Sequence, residues 1–273
     1  IMKLMSFTKN GVAGFGVVQG DSVVDFSCKY PDLKSFLASG DSSVDGDLIA
    51  LSDIKFEPVI PNPSKIICVG VNYASHIAEM GREPGEYPLL FTRFANSQVG
   101  HNEPMLAPQE SAKFDYEGEL AVIIGEGGRR ISEKNAVNAI AGYSCYNDGS
   151  IRDWQRHTSQ FTAGKNFKGT GGFGPWLVTK DEIEEPSKLE IETRLNGKIM
   201  QAAPISDLVF NIPKLIAYIS TFTELESGDV IITGTTGGVG AARKPPVWMK
   251  HGDKIEVEIT KIGTLINPIK DAN

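Results

Sequence analysis

The stretch "FDYEGELAVII", residues 114–124, places three acidic residues, Asp115, Glu117 and Glu119, at alternate positions and continues into an apolar run. Because successive residues of a strand point to opposite faces, a strand here would project all three carboxylates from one side. Carboxylates two residues apart on a strand are roughly 6 to 7 Å from each other, and their repulsion increases where water is excluded. The pattern predicts either a solvated acidic strand face or a site for a cation, and it is compatible with both.

The overall composition is that of an ordinary globular protein. The chain has 273 residues, of which 41% are hydrophobic and 22% are charged. This length is sufficient for one large domain with a small appendage, or for two modest domains. No apolar run approaches the roughly 18 residues that a membrane helix requires, so we expect no membrane association. The first residues lack the basic, apolar and small-residue order of a signal peptide, and we therefore expect a cytoplasmic location.

Charge and cysteine usage exclude two further classes of protein. The formal net charge is −7 at pH 7, and basic residues do not form runs interleaved with aromatic residues. Nucleic-acid backbones are bound by clustered positive charge, so we expect no nucleic-acid partner. The three cysteines, Cys28, Cys68 and Cys145, have neither a CxxC nor a Cys/His spacing. We therefore expect reduced, buried and unreactive thiols, with no disulfide framework and no zinc site.

A proline-rich segment divides the chain into two parts. Before it, short strand patterns alternate with turn signals, and "DLKSFLASG" (32–40) predicts a short helix. The segment itself, "EPVIPNPSK" (57–65), has three prolines in nine residues, which is typical of a stiff extended connection. We predict a small N-terminal lobe at residues 1–60 and a second domain at residues 61–273.

Strand patterns outnumber helical patterns in the second domain. Buried strands are predicted at 65–71 and 226–234, and "LEIETRLNGKIMQ" (189–201) predicts a hairpin that turns at Asn196-Gly197. Helical periodicity occurs at residues 72–81, 132–140, 151–160 and 206–222. Many strands with few helices between them argue against a doubly wound parallel sheet. We therefore predict an α+β fold with strongly bent mixed sheets.

Two glycine-rich segments require separate interpretation. "GTGGFG" (169–174) matches GxGxxG, but Pro175 and a strand pattern follow it where a dinucleotide site needs a helix, so we reject that function. "GTTGGVG" (234–240) follows a strand but lacks the Lys-Ser/Thr ending of a phosphate-binding loop. It is either a plain turn or a flexible loop whose amides, with Thr235, approach a small ligand.

Several polar residues have the chemistry of an active site. His76 and Glu79 lie at i and i+3 of a predicted helix, where the carboxylate would raise the basicity of the imidazole; an exposed surface pair is the alternative. Glu117 and Glu119, with Asp148 of "YNDGS" (146–150), are oxygen donors that suit Mg²⁺ or Mn²⁺, with Ca²⁺ also possible. Lys165 is either a partly desolvated cation for an anionic substrate or a surface lysine.

Six sequence blocks, taken in order, resemble the fumarylacetoacetate hydrolase family. The similarity extends from about residue 62 to the C-terminus, and six blocks in the family's order are far more specific than any single block. The blocks are "GVNYASHIAEMG" (70–81), "DYEGELAVIIG" (115–125), "YNDGSIRDWQ" (146–155), "AGKNF" (163–167), "GPWLV" (174–178) and "LESGDVIITGTTGGVG" (225–240).

This resemblance implies a catalytic domain built as a mixed-sheet roll or barrel, a homodimer and one bound divalent metal ion. Asp115 is not part of the implied metal set. The resemblance implies three groups of site residues: Glu117, Glu119 and Asp148 as metal ligands, His76, Glu79 and Lys165 as catalytic residues, and Arg152, Gln155 and Thr235 as contacts for substrate oxygens.

Two positions depart from the pattern of many relatives. Arg93, in "FTRFANS" (91–97), stands where many relatives have lysine, and Thr236 stands where many have the proline of "TGTP". Both lie near segments expected to shape the pocket, so they bear on substrate identity more than on the metal site.

The family acts on 2-oxo and 1,3-diketo acids, and the resemblance therefore implies a small anionic substrate. The intact His76–Glu79 pair favours a hydrolase that cleaves a carbon–carbon bond through a metal-stabilised enolate. The alternatives with the same metal site are a 2-oxo acid decarboxylase, a keto–enol tautomerase or an isomerase. A third interpretation is a non-catalytic cation-binding protein that keeps the fold.

Overall fold

A computed structural model describes residues 2–79, 81 and 83–273, which form mainly β-structure. The strands are β1 Lys3–Lys9, β2 Val12–Gln19, β3 Ser22–Asp25, β4 Asp47–Ala50, β5 Lys55–Phe56, β6 Ile66–Gly70, β7 Leu89–Thr92, β8 Gln98–Val99, β9 Met105–Ala107, β10 Phe114–Asp115, β11 Gly118–Ile124, β12 Ile140–Asp148, β13 Ser150–Ile151, β14 Gly171–Thr179, β15 Glu190–Leu195, β16 Lys198–Pro204, β17 Val230–Thr235, β18 Lys254–Ile259 and β19 Gly263–Asp271. The α-helices are α1 Leu33–Ser39, α2 Ala74–Glu79, α3 Ala136–Ala139, α4 Arg152–Gln155, α5 Thr162–Lys165 and α6 Ile212–Phe222.

The largest sheet has the strand order β4-β3-β2-β1-β14-β12-β11-β17-β6-β7. Most of its pairs are antiparallel, but β17 pairs with β6 in parallel. A second sheet has the order β16-β15-β18-β19-β9. This sheet and helix α6 share one hydrophobic core with the main sheet. The predicted α+β fold with mixed sheets is confirmed.

Strand β11 is buried on both faces, which the alternating pattern of residues 114–124 does not predict. Leu120 and Val122 pack in the core shared with the second sheet, whereas Ala121 and Ile123 pack against the aromatic residues of the N-terminal segment. The predicted single strand is also divided, because β10 ends at Asp115 and β11 begins at Gly118. A solvated acidic face is excluded, since Asp115, Glu117 and Glu119 are all buried.

The N-terminal segment continues the main sheet. Strand β1 pairs with β14 through Lys3↔Val178 and Leu4↔Leu177, and β5 returns to pair with β1. The predicted helix in this segment is α1: the side chain of Asp32 accepts a hydrogen bond from the amide of Ser35, and Gly40 follows the helix with a φ of +66°. The division into residues 1–60 and 61–273 stays a prediction.

Helices form in all the segments where periodicity predicts them, but their bounds differ from the predicted ones to different extents. The helix predicted at 206–222 begins only at Ile212: Asn211 caps α6, and Pro213 lies in its first turn. The helix predicted at 151–160 is wrong in extent, because α4 covers only Arg152–Gln155. The described part of helix α2 ends at Glu79. Met80, which belongs to the helix predicted at 72–81, lies outside the described residues.

Two local predictions have opposite outcomes. The Asn196-Gly197 turn joins β15 to β16, and both residues have positive φ, as the predicted two-residue hairpin requires. The cysteines were predicted to be buried, and this is correct for Cys68 and Cys145 but wrong for Cys28, which is exposed. Among the described residues, helices that are long and apolar enough to cross a membrane are absent.

Candidate active site

Three buried carboxylates converge where β11 and β12 lie side by side. The register pairs Gly118 with Asn147, and the amide of Asp148 donates to the carbonyl of Glu117 over 2.8 Å. Glu117, Glu119 and Asp148 are thereby brought together, and one carboxylate oxygen from each lies within 4.8 Å of the others. The strand pairing therefore joins two acids of one block to an acid about thirty residues later in the chain.

Three buried cations surround these carboxylates. The ammonium nitrogen of Lys165 lies 2.7 Å from Glu117 Oε2 and 2.6 Å from Asp148 Oδ2. Arg93 Nη1 lies 2.6 Å from the other oxygen of Asp148, and Arg152 Nη1 lies 2.7 Å from Glu117 Oε1. Glu119 instead accepts a hydrogen bond from the amide of Gly234 over 2.5 Å. Lys165 is buried, so its interpretation as a surface lysine is excluded.

Asp115 is held by Arg152 and by two backbone amides of the loop after β17. Its carboxylate accepts hydrogen bonds from Arg152 Nε over 2.8 Å and from the amides of Gly240 and Ala241 over 2.7 and 2.9 Å. Arg152 thus contacts both Asp115 and Glu117, which reduces the repulsion between these two buried charges. Of the three alternating acids, Asp115 therefore pairs with an arginine, whereas Glu117 and Glu119 belong to the buried carboxylate group with Asp148.

The surroundings shift the pKa values of the two glutamates in opposite directions. Burial would raise the pKa of Glu117, but the charges of Lys165 and Arg152 outweigh it and lower the pKa to about 2. Burial, followed by the negative charges of Asp148 and Glu117, raises the pKa of Glu119 well above its usual range. A cation bound here would favour the ionised form of Glu119, which burial and the neighbouring carboxylates disfavour.

The donor set fits a hard divalent cation. All three ligand candidates are carboxylates, and oxygen donors suit Mg²⁺, Mn²⁺ or Ca²⁺ better than zinc. The four buried acids Asp115, Glu117, Glu119 and Asp148 face the three buried cations Arg93, Arg152 and Lys165. With Glu119 ionised, the cluster therefore has more negative than positive charge.

His76 and Glu79 form the predicted pair on helix α2. His76 Nδ1 lies 3.2 Å from Glu79 Oε2, and the amide of Gly238 donates to Glu79 Oε1 over 3.1 Å. His76 is only 7% exposed, whereas Glu79 is exposed, so the alternative of an exposed surface pair is correct for Glu79 but not for His76. The imidazole is held from one side by a carboxylate that is itself held by the loop after β17.

The glycine-rich loop after β17 binds protein carboxylates. The amides of Gly234, Gly238 and Gly240 donate to Glu119, Glu79 and Asp115, respectively. These three amides are therefore occupied within the protein, and an approach of the segment's other amides to a ligand stays a prediction. The hydroxyl of Thr235 donates to the carbonyl of Gly118 and accepts from Gln201 Nε2, as its position opposite Glu119 in the sheet allows.

A cavity of about 180 Å³ connects these groups. Of the nine residues predicted for the site, seven line it, while Glu79 and Asp148 lie behind His76 and Lys165. The lining residues are His76, Glu117, Glu119, Arg152, Gln155, Lys165 and Thr235 together with Val69, Gly70, Val71, Phe91, Arg156 and Phe161. The cavity combines charged groups with one apolar side.

Sequence reasoning missed the contacts of Arg93, Asp115 and the two phenylalanines of the apolar side. Arg93 was noted only as a departure from the family pattern, and its buried ion pair with Asp148 is visible only in the structure. Phe91 and Phe161 approach each other with ring centroids 5.6 Å apart, and the ammonium of Lys165 lies 4.9 Å from the Phe91 ring centroid. Their spacing along the chain has no signal for this contact.

Comparison with known proteins agrees with this arrangement. The family model described as Fumarylacetoacetate (FAA) hydrolase C-terminal matches residues 65–270. The chain belongs to the fumarylacetoacetate hydrolase family. The match covers Glu117, Glu119 and Asp148 (the triad), together with the His76–Glu79 pair and Lys165. It begins at the last residue of the proline-rich segment 57–65.

Relatives within this family have several named activities. Oxaloacetate tautomerase YisK of Bacillus subtilis is 44% identical over 81% of this chain and 75% of its own length. The mitochondrial oxaloacetate tautomerase fahd2 of Xenopus laevis is 38% identical over 94% of this chain and 85% of its own. The structure of fumarylacetoacetate hydrolase from Exiguobacterium antarcticum superposes with a TM-score of 0.89 at 36% identity, with 100% of both chains covered.

Proposed function

We propose that this chain is a metal-dependent enzyme that interconverts the keto and enol forms of a 2-oxo dicarboxylic acid of the oxaloacetate type. The observation that carries the proposal is the convergence of three buried carboxylates, two of which, Glu117 and Glu119, line a cavity that His76 also lines. The names of the two tautomerase relatives support the same reaction. This was one of the alternatives to the hydrolase expected from the sequence.

The acids of the triad are proposed as the metal ligands, with Mg²⁺ or Mn²⁺ as the ion and Ca²⁺ as a weaker candidate. When bound, the ion would supply electrophilic stabilisation of the negative charge that develops on the carbonyl oxygen of the substrate. Glu117, Glu119 and Asp148 offer this ion three anionic oxygens within one buried volume.

His76 is proposed as the group that moves the proton. A hydrogen on Nδ1, donated to Glu79, leaves the lone pair of Nε2 available. Nε2 can then remove the proton from the carbon between the carbonyl group and the second carboxylate, and the resulting imidazolium can return this same proton to the carbonyl oxygen to form the enol. The reverse transfer regenerates the ketone, so atoms and charge balance without a further reactant.

The remaining polar residues of the cavity are proposed to bind the substrate. Arg152, Gln155 and Thr235 line the same cavity and would contact carboxylate or carbonyl oxygens. Lys165 adds a fixed positive charge that favours an anionic substrate at this position. Phe91 and Phe161 limit access of water from the apolar side of the cavity.

Hydrolysis of a 1,3-diketo acid such as an acylpyruvate is the second candidate. The specific observation in its favour is the oriented His76–Glu79 pair, because such a base can equally activate water for attack on a carbonyl. The structural similarity to a fumarylacetoacetate hydrolase supports the same reaction. Decarboxylation or isomerisation would use the same proposed metal site.

Product analysis separates these reactions. The purified protein is incubated with Mn²⁺ and either oxaloacetate or an acylpyruvate. The His76→Ala variant at the same Mn²⁺ concentration gives the background rate. Accelerated loss of enol absorbance in the ultraviolet, with neither CO₂ nor an acid fragment released, is the result that we expect. A carboxylic acid fragment from the acylpyruvate would support hydrolysis, and CO₂ from oxaloacetate would support decarboxylation. Rates equal to the background for both substrates would contradict all of these assignments.

Two further expectations of the sequence remain proposals. We propose a homodimer, as the family resemblance implies, and light scattering of the purified protein would measure its mass against the 29.5 kDa of one chain. The proposed cytoplasmic location can be tested by fractionation, and one relative is named as mitochondrial.

A further inference from the structure

Arg93 is a fully buried cation whose donors are used within the protein. Its Nη1 donates to Asp148 Oδ1 over 2.6 Å and to the carbonyl of Gly149 over 3.0 Å. Its Nη2 donates to the hydroxyl of Thr170 over 2.9 Å, and its Nε donates to the hydroxyl of Ser97 over 3.2 Å. The guanidinium is therefore fixed on three sides.

The position of Arg93 excludes a direct role with the substrate. It does not line the 180 Å³ cavity, and its side chain has no exposed area. Its contact with the site is Asp148, whose two carboxylate oxygens are each held at 2.6 Å, Oδ1 by Arg93 and Oδ2 by Lys165. Arg93 thus acts on the site through the orientation of one carboxylate.

We propose that Arg93 is a positioning residue that fixes the rotation of the Asp148 carboxylate, so that Oδ1 stays with the arginine and Oδ2 faces the cation site. The inference rests on the proposed role of Asp148 as a metal ligand. Partners of metal ligands that orient them in this way typically contribute about 10- to 100-fold to metal affinity. Arginine suits the position because its planar fork reaches Asp148, Gly149 and Thr170 at once, whereas an ammonium is a single point charge.

The neighbouring glycine in β14 shows how closely this fork is packed. A Cβ added at Gly171 would lie 2.8 Å from Arg93 Nη2 and 2.8 Å from the hydroxyl of Tyr146. Gly172 is equally crowded, but an added Cβ there would meet the side chain of Asn267 at 2.5 Å, away from Arg93. Gly171→Ala therefore displaces the guanidinium without changing any charge, and Gly172→Ala is a matched control.

Two effects of Arg93 on metal affinity have opposite signs, and this makes the inference testable. As a charge alone, Arg93 repels a divalent cation, so its removal would strengthen metal binding. As a positioning residue it holds a ligand in place, so its removal weakens metal binding. The sign of the change in metal affinity caused by Arg93→Met therefore distinguishes the two effects.

The experiment measures Mn²⁺ affinity by calorimetry, with thermal denaturation to verify that each variant is folded at the temperature used. We expect the wild type to bind most tightly, Arg93→Lys to be intermediate and Arg93→Met to bind about 10- to 100-fold more weakly. Gly171→Ala should also bind more weakly, whereas Gly172→Ala should lose stability but keep the wild-type affinity. If Arg93→Met does not fold, the comparison of the two glycine variants decides.

Several results would overturn the inference. If Arg93→Met binds Mn²⁺ as tightly as the wild type or more tightly, Arg93 affects metal binding through its charge and does not position Asp148. If Gly171→Ala and Gly172→Ala bind Mn²⁺ with equal affinity, the packing around Arg93 has only a structural role. Asp148→Asn distinguishes this failure from failure of the metal site itself. If Asp148→Asn keeps the wild-type Mn²⁺ affinity, the proposed metal site is contradicted. If Asp148→Asn loses Mn²⁺ affinity and Arg93→Met does not, only the proposed role of Arg93 is contradicted.

Discussion

The ammonium nitrogen of Lys165 lies 2.6 Å from Oδ2 of Asp148 and 2.7 Å from Oε2 of Glu117, so a side chain of the protein supplies positive charge to two of the three proposed metal ligands. Burial would lower the pKa of Lys165, but Asp148 and Glu117 outweigh it and raise the pKa. This ammonium stabilises the metal-free fold and competes for the carboxylates that a metal ion would bind.

Replacement of Lys165 by methionine should therefore destabilise the metal-free protein and increase its response to metal. Removing one partner of a buried ion pair costs about 3 to 5 kcal/mol, so the free energy of unfolding in chelator should fall by that order. Added Mn²⁺ should raise the melting temperature more than in the wild type, because a ligand that binds only the folded state stabilises it. Lys188→Met is the control and should change little, since its pair with Glu185 is exposed. An equal Mn²⁺ response in Lys165→Met and wild type would show that the ammonium does not compete.

Loss of the His76 imidazole should reduce turnover while leaving the metal site intact. His76→Ala removes the proposed base, so the turnover number should fall by about 10²- to 10⁴-fold. Mn²⁺ affinity measured by calorimetry should remain that of the wild type, because His76 is not among the triad. His251→Ala, which replaces an exposed histidine outside the cavity, is the matched control. Full activity in His76→Ala would mean that another group moves the proton.

Metal binding should weaken as the pH falls. The pKa of Glu119 is raised above its usual value, so in the metal-free protein this carboxyl holds a proton to higher pH than an ordinary glutamate, and metal binding must release it. Calorimetry in buffers of different ionisation enthalpy should detect this proton release. Glu119→Gln should bind Mn²⁺ more weakly and without the released proton. Proton release that persists in Glu119→Gln would place the titrating group elsewhere.

Chelation provides a separate test of the cofactor. Dialysis against EDTA should remove nearly all activity, and added Mg²⁺ or Mn²⁺ should restore it, because the proposed stabilisation of negative charge on the substrate comes from the ion that Glu117, Glu119 and Asp148 would hold. Restoration should fail in Glu117→Gln. Activity that is unaffected by prolonged chelation would contradict the proposed metal-dependent reaction.

His101 should make the fold less stable in acid. Its Nδ1 accepts a hydrogen bond from the amide of Ile266, and burial lowers its pKa from 6.5 to about 4. The unfolded state therefore binds more protons between these two pH values, and stability is fully present above pH 6.5 and lost as the pH falls towards 4. The loss from this residue should approach about 3 kcal/mol. Denaturant titrations at pH 7 and 4.5 should show a smaller difference in His101→Asn, whose side-chain oxygen can replace Nδ1 as acceptor. An unchanged pH dependence in this variant would contradict the assignment.

The resemblance found in the sequence predicted which polar residues lie close together more accurately than the strand pattern did. The blocks around Glu117, Asp148 and Lys165 predicted three groups that the structure brings together. The alternation of residues 114–124, by contrast, predicted one strand with one polar face. Both faces of strand β11 are buried, and apolar residues therefore occupy successive positions from Leu120 onwards instead of alternating with polar ones.

Short-range features of this protein follow from the sequence alone. The Asn196-Gly197 turn, the Asp32 cap of α1 and the Asn211 cap of α6 depend on contacts within a few residues, and each has a residue type that favours the local conformation. The α+β class likewise follows from the balance of strand and helix patterns along the chain.

The partners of the buried charges were decided only by the tertiary structure. Asp115 binds Arg152, Arg93 binds Asp148, and the amide of Gly238 binds Glu79, across 37, 55 and 159 residues of sequence. Such pairs form because strands that are remote in the sequence lie side by side, as β10 does with β13 and β17 with β6, and no local preference encodes which strands become neighbours. A buried charge must be paired, but the choice of partner depends on the fold that encloses it.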